Sequence, residues 1–455
     1  MAYSSRNGRK PMERASKISH SEIINNPVVA SFLINCKLPE PAEKHDLTPF
    51  TFPVNRTDGG GIAAVVALDG GYTETFVKEG FPSASVTFYN FGPLMFQLED
   101  LRKIDADDFI DPRDFAKLKQ LQRHSLVLPT KNVCLGGCDS LVISIRQTLR
   151  DFFEKKDADG QRLVDAVRWL VCHEWSGRPQ PWVLARCPHY PDCNGVDIIF
   201  NSGGPDEVPC PLCGRPVWLT DTFRLHEAVD EEHGAGGILG YLIVLLEQML
   251  LVQWIRAIHE IKPSLMGEVL FVKDGPLAFF GQTANLHKPM RALMRYLLEP
   301  NEVGASIRLV GVEKSGAFVE HAAAIQGLLE KGTLLMPSNS YIYKYIVPGT
   351  ATTLEYGRST YYGSKVIFKD WDGAVYVLTL PTAEYKPAPM ATDFVDLANV
   401  LSTVGSLKCH MYENALIPVA LVNKLVSLSD FPSSQLLGAF AKQAIRNGGS
   451  IRLEQ

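Results

Sequence analysis

The stretch AVVALDGGYTETF, residues 64–76, ends a run of small and branched apolar residues in Asp69 and two glycines. The pattern returns in EVLFVKDGPLAFFG, residues 268–281, with Asp274 in the equivalent place. Short apolar runs of this kind indicate buried strands. A side chain just past such a strand lies at the sheet edge, where ligands of α/β proteins bind. We therefore predict that Asp69 and Asp274 end two strands at one rim, and that the glycines leave room there for a ligand.

The alternative for each Asp-Gly pair is a hairpin turn. Neither pair is followed at once by a clear alternating partner strand, which favours the rim. Further strand patterns occupy residues 62–68, 85–91, 269–273, 306–312 and the two halves of SKVIFKDWDGAVYVLTLP, joined at 370–373. Helical patterns occupy residues 140–153, 160–174, 237–261, 390–404 and 418–428. Because strands and helices alternate without a fixed repeat, we predict an α/β fold: a mixed sheet core flanked by helices, with insertions.

Composition is that of a globular protein, with 455 residues, 46% apolar and 21% charged. The net charge of −5 excludes a wholly basic nucleic-acid coat but allows a local basic groove. The N-terminus carries basic residues without an apolar run, so no secretory signal is predicted. The longest apolar stretch, residues 238–255, is interrupted by Glu247, Gln248 and Gln253, which favours a buried helix over a membrane span. Nine cysteines, four of them clustered, fit a reducing cytoplasm and a metal.

Four segments follow from these patterns. Residues 1–45 form an N-terminal arm, whose helix around residues 19–38 packs on its own domain or binds a partner; both alternatives are open. Residues 46–185 form the first part of the core, 186–218 an inserted zinc ribbon, and 219–455 the second part of the core.

Glu247 is the only charged residue between Gly236 and Arg256, in a helix that is apolar on nearly every face. A buried carboxylate without a partner is costly, so Glu247 either pairs with a distant Arg or Lys or binds a cation. Together with Asp69 and Asp274 it makes a set of oxygen ligands that suits Mg²⁺ or Mn²⁺. Two such ions about 4 Å apart can support phosphodiester cleavage.

A second metal is predicted in residues 187–213, where four cysteines are spaced as two pairs. Cys187 and Cys193 are followed, after sixteen intervening residues, by Cys210 and Cys213. Four thiolates in this arrangement predict a tetrahedral, structural Zn²⁺ without an open position. Cys134 and Cys138 lack a second pair and are predicted to be small buried residues.

The motifs VVALDGG, LFVKDGPL and LVGVEKSG, with the Glu247 helix between the first two, resemble in order and spacing those of the NurA nuclease family. The resemblance covers roughly residues 50–430, interrupted by the zinc ribbon. It implies an RNase H-like core, with Asp69, Glu247 and Asp274 as manganese ligands and Lys314 near the scissile phosphate. It also implies a homodimer that processes or degrades DNA ends with a HerA-like hexameric translocase ATPase, in DNA repair or anti-phage defence.

The sequence departs from the family in the last motif. The family's tyrosine falls on Ala415 and its histidine on Asn423, in ALIPVALVNK. Asn423 can donate an oxygen ligand but cannot act as an acid or base. The nearby candidates to replace the missing groups are His410 and Tyr412.

Basic and aromatic residues suggest contacts to DNA. Lys288, Arg291 and Arg295 recur at helical spacing and form either a stripe for phosphates or a solvated face. Tyr341, Tyr343 and Tyr345 alternate as on a strand face, which stacks on bases or packs on a neighbour. No Walker lysine loop is present, so a motor would be a separate protein.

We therefore expect a divalent-metal-dependent DNA nuclease. The alternatives are a catalytically weakened adaptor that docks a translocase on DNA, and another metal-dependent phosphoester hydrolase.

Overall fold

The computed structural model describes residues 17–41, 46–78, 80, 82–100, 123–157, 159–299, 305–351, 353, 355–409, 415–428 and 433–446. His410 and Tyr412 lie outside the described residues, as do residues 1–16 and 42–45 of the predicted arm. Everything said below of the structure refers to the described part of the chain.

A nine-stranded mixed sheet forms the centre of the described protein. Its strands are β1 (Thr51–Pro53), β2 (Ala64–Lys78), β3 (Ala84–Gln97), β4 (His124–Lys131), β9 (Val269–Asp274), β10 (Arg308–Glu313), β11 (Thr333–Leu335), β12 (Gly363–Lys369) and β13 (Val375–Pro381). Their order across the sheet is β1-β11-β12-β13-β10-β9-β2-β3-β4. Strand β9 is parallel to both of its neighbours, β2 and β10. The other pairs are antiparallel. The predicted mixed α/β sheet core is confirmed.

Two small hairpins stand apart from this sheet. They are β5 (Trp182–Leu184) with β6 (Ile198–Phe200), and β7 (Glu207–Pro209) with β8 (Pro216–Trp218). They hold the four clustered cysteines in their connecting loops. The first hairpin begins at Trp182, four residues before the predicted start of the insertion at 186.

Helices cover both faces of the sheet. They are α1 (Lys17–Ile24), α2 (Pro27–Ile34), α3 (Leu141–Glu154), α4 (Leu163–Val171), α5 (Leu239–Ile261), α6 (His287–Leu298), α7 (Ala317–Ile325), α8 (Asn339–Tyr345), α9 (Leu397–Ser406), α10 (Ile417–Val426) and α11 (Ser433–Arg446). One face packs against α3, α4, α5 and α6, and the other against α9 and α10. Strand residues alternate between these two cores: Val66 and Leu68 face α5, whereas Val65 and Ala67 face α10.

Helix α5, with the turn that precedes it (Gly236–Ile261), is long and apolar enough to cross a membrane by length and composition alone. Most of it is buried inside the protein. It packs against β2, β3 and the helices α4 and α6, as the polar residues within it predict.

The prediction that Asp69 ends its strand is wrong. Strand β2 continues to Lys78 and pairs with β3 as a long antiparallel hairpin, with Asp69 opposite Gly92. The two glycines are explained by helices on both faces instead of by an open rim. A Cβ at Gly70 would lie 2.5 Å from Ile243 Cδ1 of α5, and one at Gly71 would lie 3.3 Å from the Val426 carbonyl oxygen of α10.

Two other local predictions are wrong. The alternating tyrosines lie on helix α8, which Ser338 caps by accepting from the Tyr341 N–H. Tyr341 and Tyr345 therefore meet one turn apart, with ring centroids at 4.8 Å, and Tyr341 is buried. Cys134 is exposed and Cys138 half-buried, because both lie in a surface turn.

Candidate functional site

Strand register brings Asp69 and Asp274 side by side. The parallel pairing of β2 with β9 runs from Ala64–Val269 to Leu68–Lys273, and the two aspartates are the next residues of each strand. Neighbouring strands lie about 4.8 Å apart, and residues in register point to the same face. By the alternation along each strand, both carboxylates point to the face that α10 covers. The two aspartates are therefore neighbours, as the sequence predicted, although Asp69 lies within its strand; their role as metal ligands stays a prediction.

Asp69 is almost fully buried, with 3% of its surface exposed. Its Oδ1 accepts the Gly70 N–H at 2.7 Å, and its buried Oδ2 finds no hydrogen-bond partner among the described residues. Burial and the charges of Asp274 and Glu247 raise the pKa of Asp69 to about 8. A buried oxygen that lacks a partner, beside further carboxylates, is the environment that a bound cation relieves.

Asp274 stands at the end of β9, before a turn that requires glycine. Gly275 has φ +78°, in the left-handed region, and its N–H donates to the Val312 carbonyl oxygen at 2.7 Å. The half-exposed Lys314, beyond the end of β10, donates from Nζ to Asp274 Oδ2 at 3.0 Å. Lys314 therefore lies beside Asp274, and its role near a scissile phosphate stays a prediction.

Glu247 lies on the opposite face of the sheet, on α5. Its Oε2 accepts from the ammonium of Lys273 at 2.7 Å, and only 1% of Lys273 is exposed. The same ammonium also donates to the Asp274 main-chain oxygen. Burial raises the pKa of Glu247 to about 7 against the lowering effect of Lys273. Of the two alternatives for Glu247, the paired one is present.

Lys273 is the residue that the sequence analysis missed. It is the one charged side chain in the strand segment from Val269 to Lys273, and it points to the same face of the sheet as Phe271. A lysine inside an otherwise apolar strand is itself a signal, because a buried ammonium needs a carboxylate partner. Glu247 and Lys273 together would have predicted the pair.

The three carboxylates interact through their charges but do not meet as one ligand set. In the described part of the chain, the only group of three or more His, Cys, Asp or Glu side chains close enough to share an ion is the cysteine group. Asp69, Asp274 and Lys314 form one group of charged side chains, and Glu247 and Lys273 form a second group. The Lys273 ammonium links the two groups, because it donates both to Glu247 and to the main-chain oxygen of Asp274.

The four cysteines converge as predicted. The Sγ atoms of Cys187, Cys193, Cys210 and Cys213 all lie within 4.8 Å of one another. The Gly195 N–H faces Cys193 Sγ at 3.3 Å, and a Cβ at Gly195 would lie 2.6 Å from Cys210 Sγ. This glycine lets the backbone approach the sulfurs. Four thiolates on two hairpin loops form a group that could hold a zinc ion.

The positions of the altered last motif differ in exposure. Ala415 is buried in the core beneath α10, and its carbonyl oxygen accepts the Cys409 N–H. Asn423 is exposed on α10, one turn before Val426, whose carbonyl oxygen lies against Gly71. Its assignment as a metal ligand stays a prediction.

The basic stripe lies on α6, and two of its three residues bind within the protein. The Arg291 guanidinium donates to the Tyr361 carbonyl oxygen and lies over the Tyr385 ring, 5.7 Å from its centroid. Arg295 pairs with Glu384 at 2.9 Å, and Lys288 is exposed. The predicted stripe is therefore reduced to one exposed lysine and one exposed ion pair.

The fold and the two clusters define a mixed α/β protein with acidic residues at its central strands and a cysteine group of zinc-binding type. No family model matches the sequence, and no curated protein matches it. Among solved structures, the crystal structure of the NurA nuclease from Sulfolobus solfataricus is similar, with a TM-score of 0.34 and 9% identity. The match covers 95% of this chain and 98% of that chain. A likeness this distant establishes neither a family nor a function for this chain.

Proposed function

We propose that the protein is a divalent-metal-dependent DNA nuclease, with Asp69 and Asp274 as the residues that would hold the metal and Glu247, which pairs with Lys273 on the other face of the sheet, as a further charge near them. The observation that carries this function is the pairing of Asp69 with Asp274 on adjacent parallel strands, with a buried Asp69 oxygen that lacks a partner. Carboxylate oxygens are the ligands that Mn²⁺ and Mg²⁺ prefer. The donor set therefore fits a hard cation.

When bound, such ions supply an activated water and charge neutralisation at a phosphodiester. The chain's own residues prepare the site. Strands β2 and β9 fix the spacing of Asp69 and Asp274, and Lys273 holds Glu247 at the end of β9. Lys314 is partly exposed beside Asp274, where its ammonium can balance the charge of a substrate phosphate.

Lys288 is the exposed member of the predicted stripe, and we assign it to a phosphate contact. Arg291 holds the segment around Tyr361, so we assign it to positioning. Arg295 would contact DNA only by leaving Glu384.

A separate hexameric ATPase of the HerA type, a homodimeric state, a cytoplasmic location and a role in repair or anti-phage defence are part of the same proposal, from the sequence resemblance. An exposed apolar helix in the N-terminal arm supports the proposal that a partner binds. Helix α2 buries none of its residues, and its side chains include exposed Phe32 (69%), Leu33 (62%) and Ile34 (83%). Exposed apolar helices of this kind mark interaction sites.

The alternative function is an adaptor without strong catalysis. Two observations favour it: Glu247 and Asp274 are each paired with a lysine, and the last motif has Ala415 and Asn423 in place of an acid or base. In this case the cysteine group and the arm would serve docking.

The test compares purified wild-type protein with Asp274→Asn on linear DNA in Mn²⁺, alone and with the ATPase. Asp372→Asn is the matched control, because Asp372 is an exposed Asp-Gly residue at the β12–β13 turn. We expect cutting by the wild type and the control, and at least 10²-fold slower cutting by Asp274→Asn. Equal cutting by all three would place the nuclease site elsewhere. DNA binding without cutting by the wild type would favour the adaptor.

A further inference from the structure

A cavity of about 380 Å³ lies outside both clusters, between the start of β4, the segment after α3 and the C-terminal half of α5. We call it the basic cavity and define it by Arg123, Phe152, Lys155, Lys156, Gln253 and Trp254. Its volume lies in the range of small-ligand sites.

Positive charge dominates its lining. Arg123, Lys155 and Lys156 are exposed. Arg162 also lines the cavity but is held by Asp165 and Asp206. The carboxylate among the lining residues is Asp157, whose Oδ1 already accepts the main-chain N–H groups of residues 159 and 161. The cavity therefore favours an anion.

Its inner wall is aromatic and polar. Phe152 and Trp254 are partly buried there. Beside Trp254, the amide of Gln253 donates from Nε2 to Gln161, while its buried Oε1 meets no hydrogen-bond partner in the residues described. The aromatic rings can stack on a nucleotide base, and the Gln253 acceptor can receive a hydrogen bond from it. The ammonium and guanidinium groups at the rim can bind its phosphate, so the lining matches a nucleotide.

The basic cavity lies on the α5 side of the sheet, where Phe152 and Trp254 pack against the same core as α5. Along α5, Gln253 is six residues from Glu247, which is about 9 Å at 1.5 Å per residue. Asp69 and Asp274 point to the other face, which α10 covers, so the cavity is a separate site.

We infer that the basic cavity binds a nucleotide of single-stranded DNA, with its base on Trp254 and its phosphates on Lys155 and Lys156. The inference rests on the proposed function for its choice of DNA. The same chemistry would accept a free mononucleotide, and the experiment separates the two sources.

The experiment measures binding of a short labelled single-stranded oligonucleotide to the full chain by fluorescence anisotropy, without added Mn²⁺ or Mg²⁺, over a series of salt concentrations. We expect Lys155→Gln/Lys156→Gln to reduce the slope of log K against log salt by about 1.4, since each phosphate contact to a single strand contributes about 0.7. Both lysines are exposed, so folding is preserved. Lys262→Gln/Lys331→Gln is the matched control, because it removes the same charge at exposed sites elsewhere. Equal slopes for the two double variants would overturn the inference.

Stacking is tested by Trp254→Leu, which we expect to weaken binding about 5- to 100-fold. Unchanged affinity in a folded variant, checked by circular dichroism, would contradict the assignment of the base. Displacement of the oligonucleotide by deoxymononucleotide at equal concentration would make a free nucleotide the ligand and overturn the strand assignment. Because these readouts are binding constants, failure of the wild type to cut DNA would refute the nuclease without changing them.

Discussion

The raised pKa of Asp69 makes a quantitative prediction about stability in the protein without added divalent cations. In the unfolded chain an Asp has a pKa near 3.9 and is ionised above pH 6. In the folded protein the pKa is about 8, so Asp69 is protonated at pH 6 and must ionise while buried as pH rises. The folded state therefore binds the extra proton, and stability falls between pH 6 and pH 9.

The size follows from linkage. Each pH unit between pH 6 and the pKa of about 8 removes about 1.4 kcal/mol, or about 2.7 kcal/mol in total. Asp69→Asn keeps the acceptor for the Gly70 N–H but removes the titration. We expect the variant to gain about 2.7 kcal/mol over the wild type between pH 6 and pH 9, because other titrating groups are shared.

The assay is urea unfolding of both proteins at pH 6 and pH 9, followed by tryptophan fluorescence. Added Mn²⁺ should stabilise the wild type at pH 9 more than the variant, since binding requires the ionised carboxylate. If the unfolding free energy of Asp69→Asn followed pH as steeply as that of the wild type, a different group would titrate and the buried-carboxylate reasoning would be refuted.

Three further predictions concern single contacts. Lys273→Met should lower the unfolding free energy, measured by urea unfolding, by about 3–5 kcal/mol, because it leaves Glu247 buried without its cation. The double variant Lys273→Met/Glu247→Gln should recover most of this loss. An equal loss in the single and the double variant would exclude the ion pair. Cys210→Ser should abolish the one zinc per chain expected from metal analysis by mass spectrometry, and full zinc content in the variant would contradict the four-thiolate group. Gly70→Ala should lower the unfolding free energy by about 1–3 kcal/mol, because the new Cβ would clash with Ile243 Cδ1. Adding Ile243→Val removes that Cδ1 atom and should relieve part of the loss. Additive effects in the double variant would contradict the clash.

The sequence predicted most of the central sheet because its strands are buried on both faces and read as continuous apolar runs. Equal apolar runs before Asp69 and Asp274 also predicted that the two would be neighbours, which parallel pairing produces. The continuation of β2 was missed because its glycines match a turn as well as they match tight packing under α5 and α10. Residues Thr73 and Thr75 alternate with exposed neighbours, and that pattern was the available signal.

Other features depend on tertiary contacts that no local pattern contains. The pairing of Glu247 with Lys273 joins a helix to a strand, and the side of the sheet on which each carboxylate lies follows from strand alternation only once the register is known. The tyrosines of α8 fit strand and helix equally by spacing, and the cap at Ser338 decides for the helix. By contrast, the spacing of the four cysteines alone was enough to predict that their sulfur atoms converge.

Helix α10 covers the strand face that bears Asp69, yet it follows that strand by about three hundred and fifty positions. During synthesis, β2 and β9 would emerge long before the helix that shields Val65 and Val272. A chain that stops before residue 417 would expose this apolar surface and leave both aspartates open to water. The acidic centre is therefore completed only after α10 has been synthesised, so a product truncated before this helix would lack an ordered centre and would aggregate.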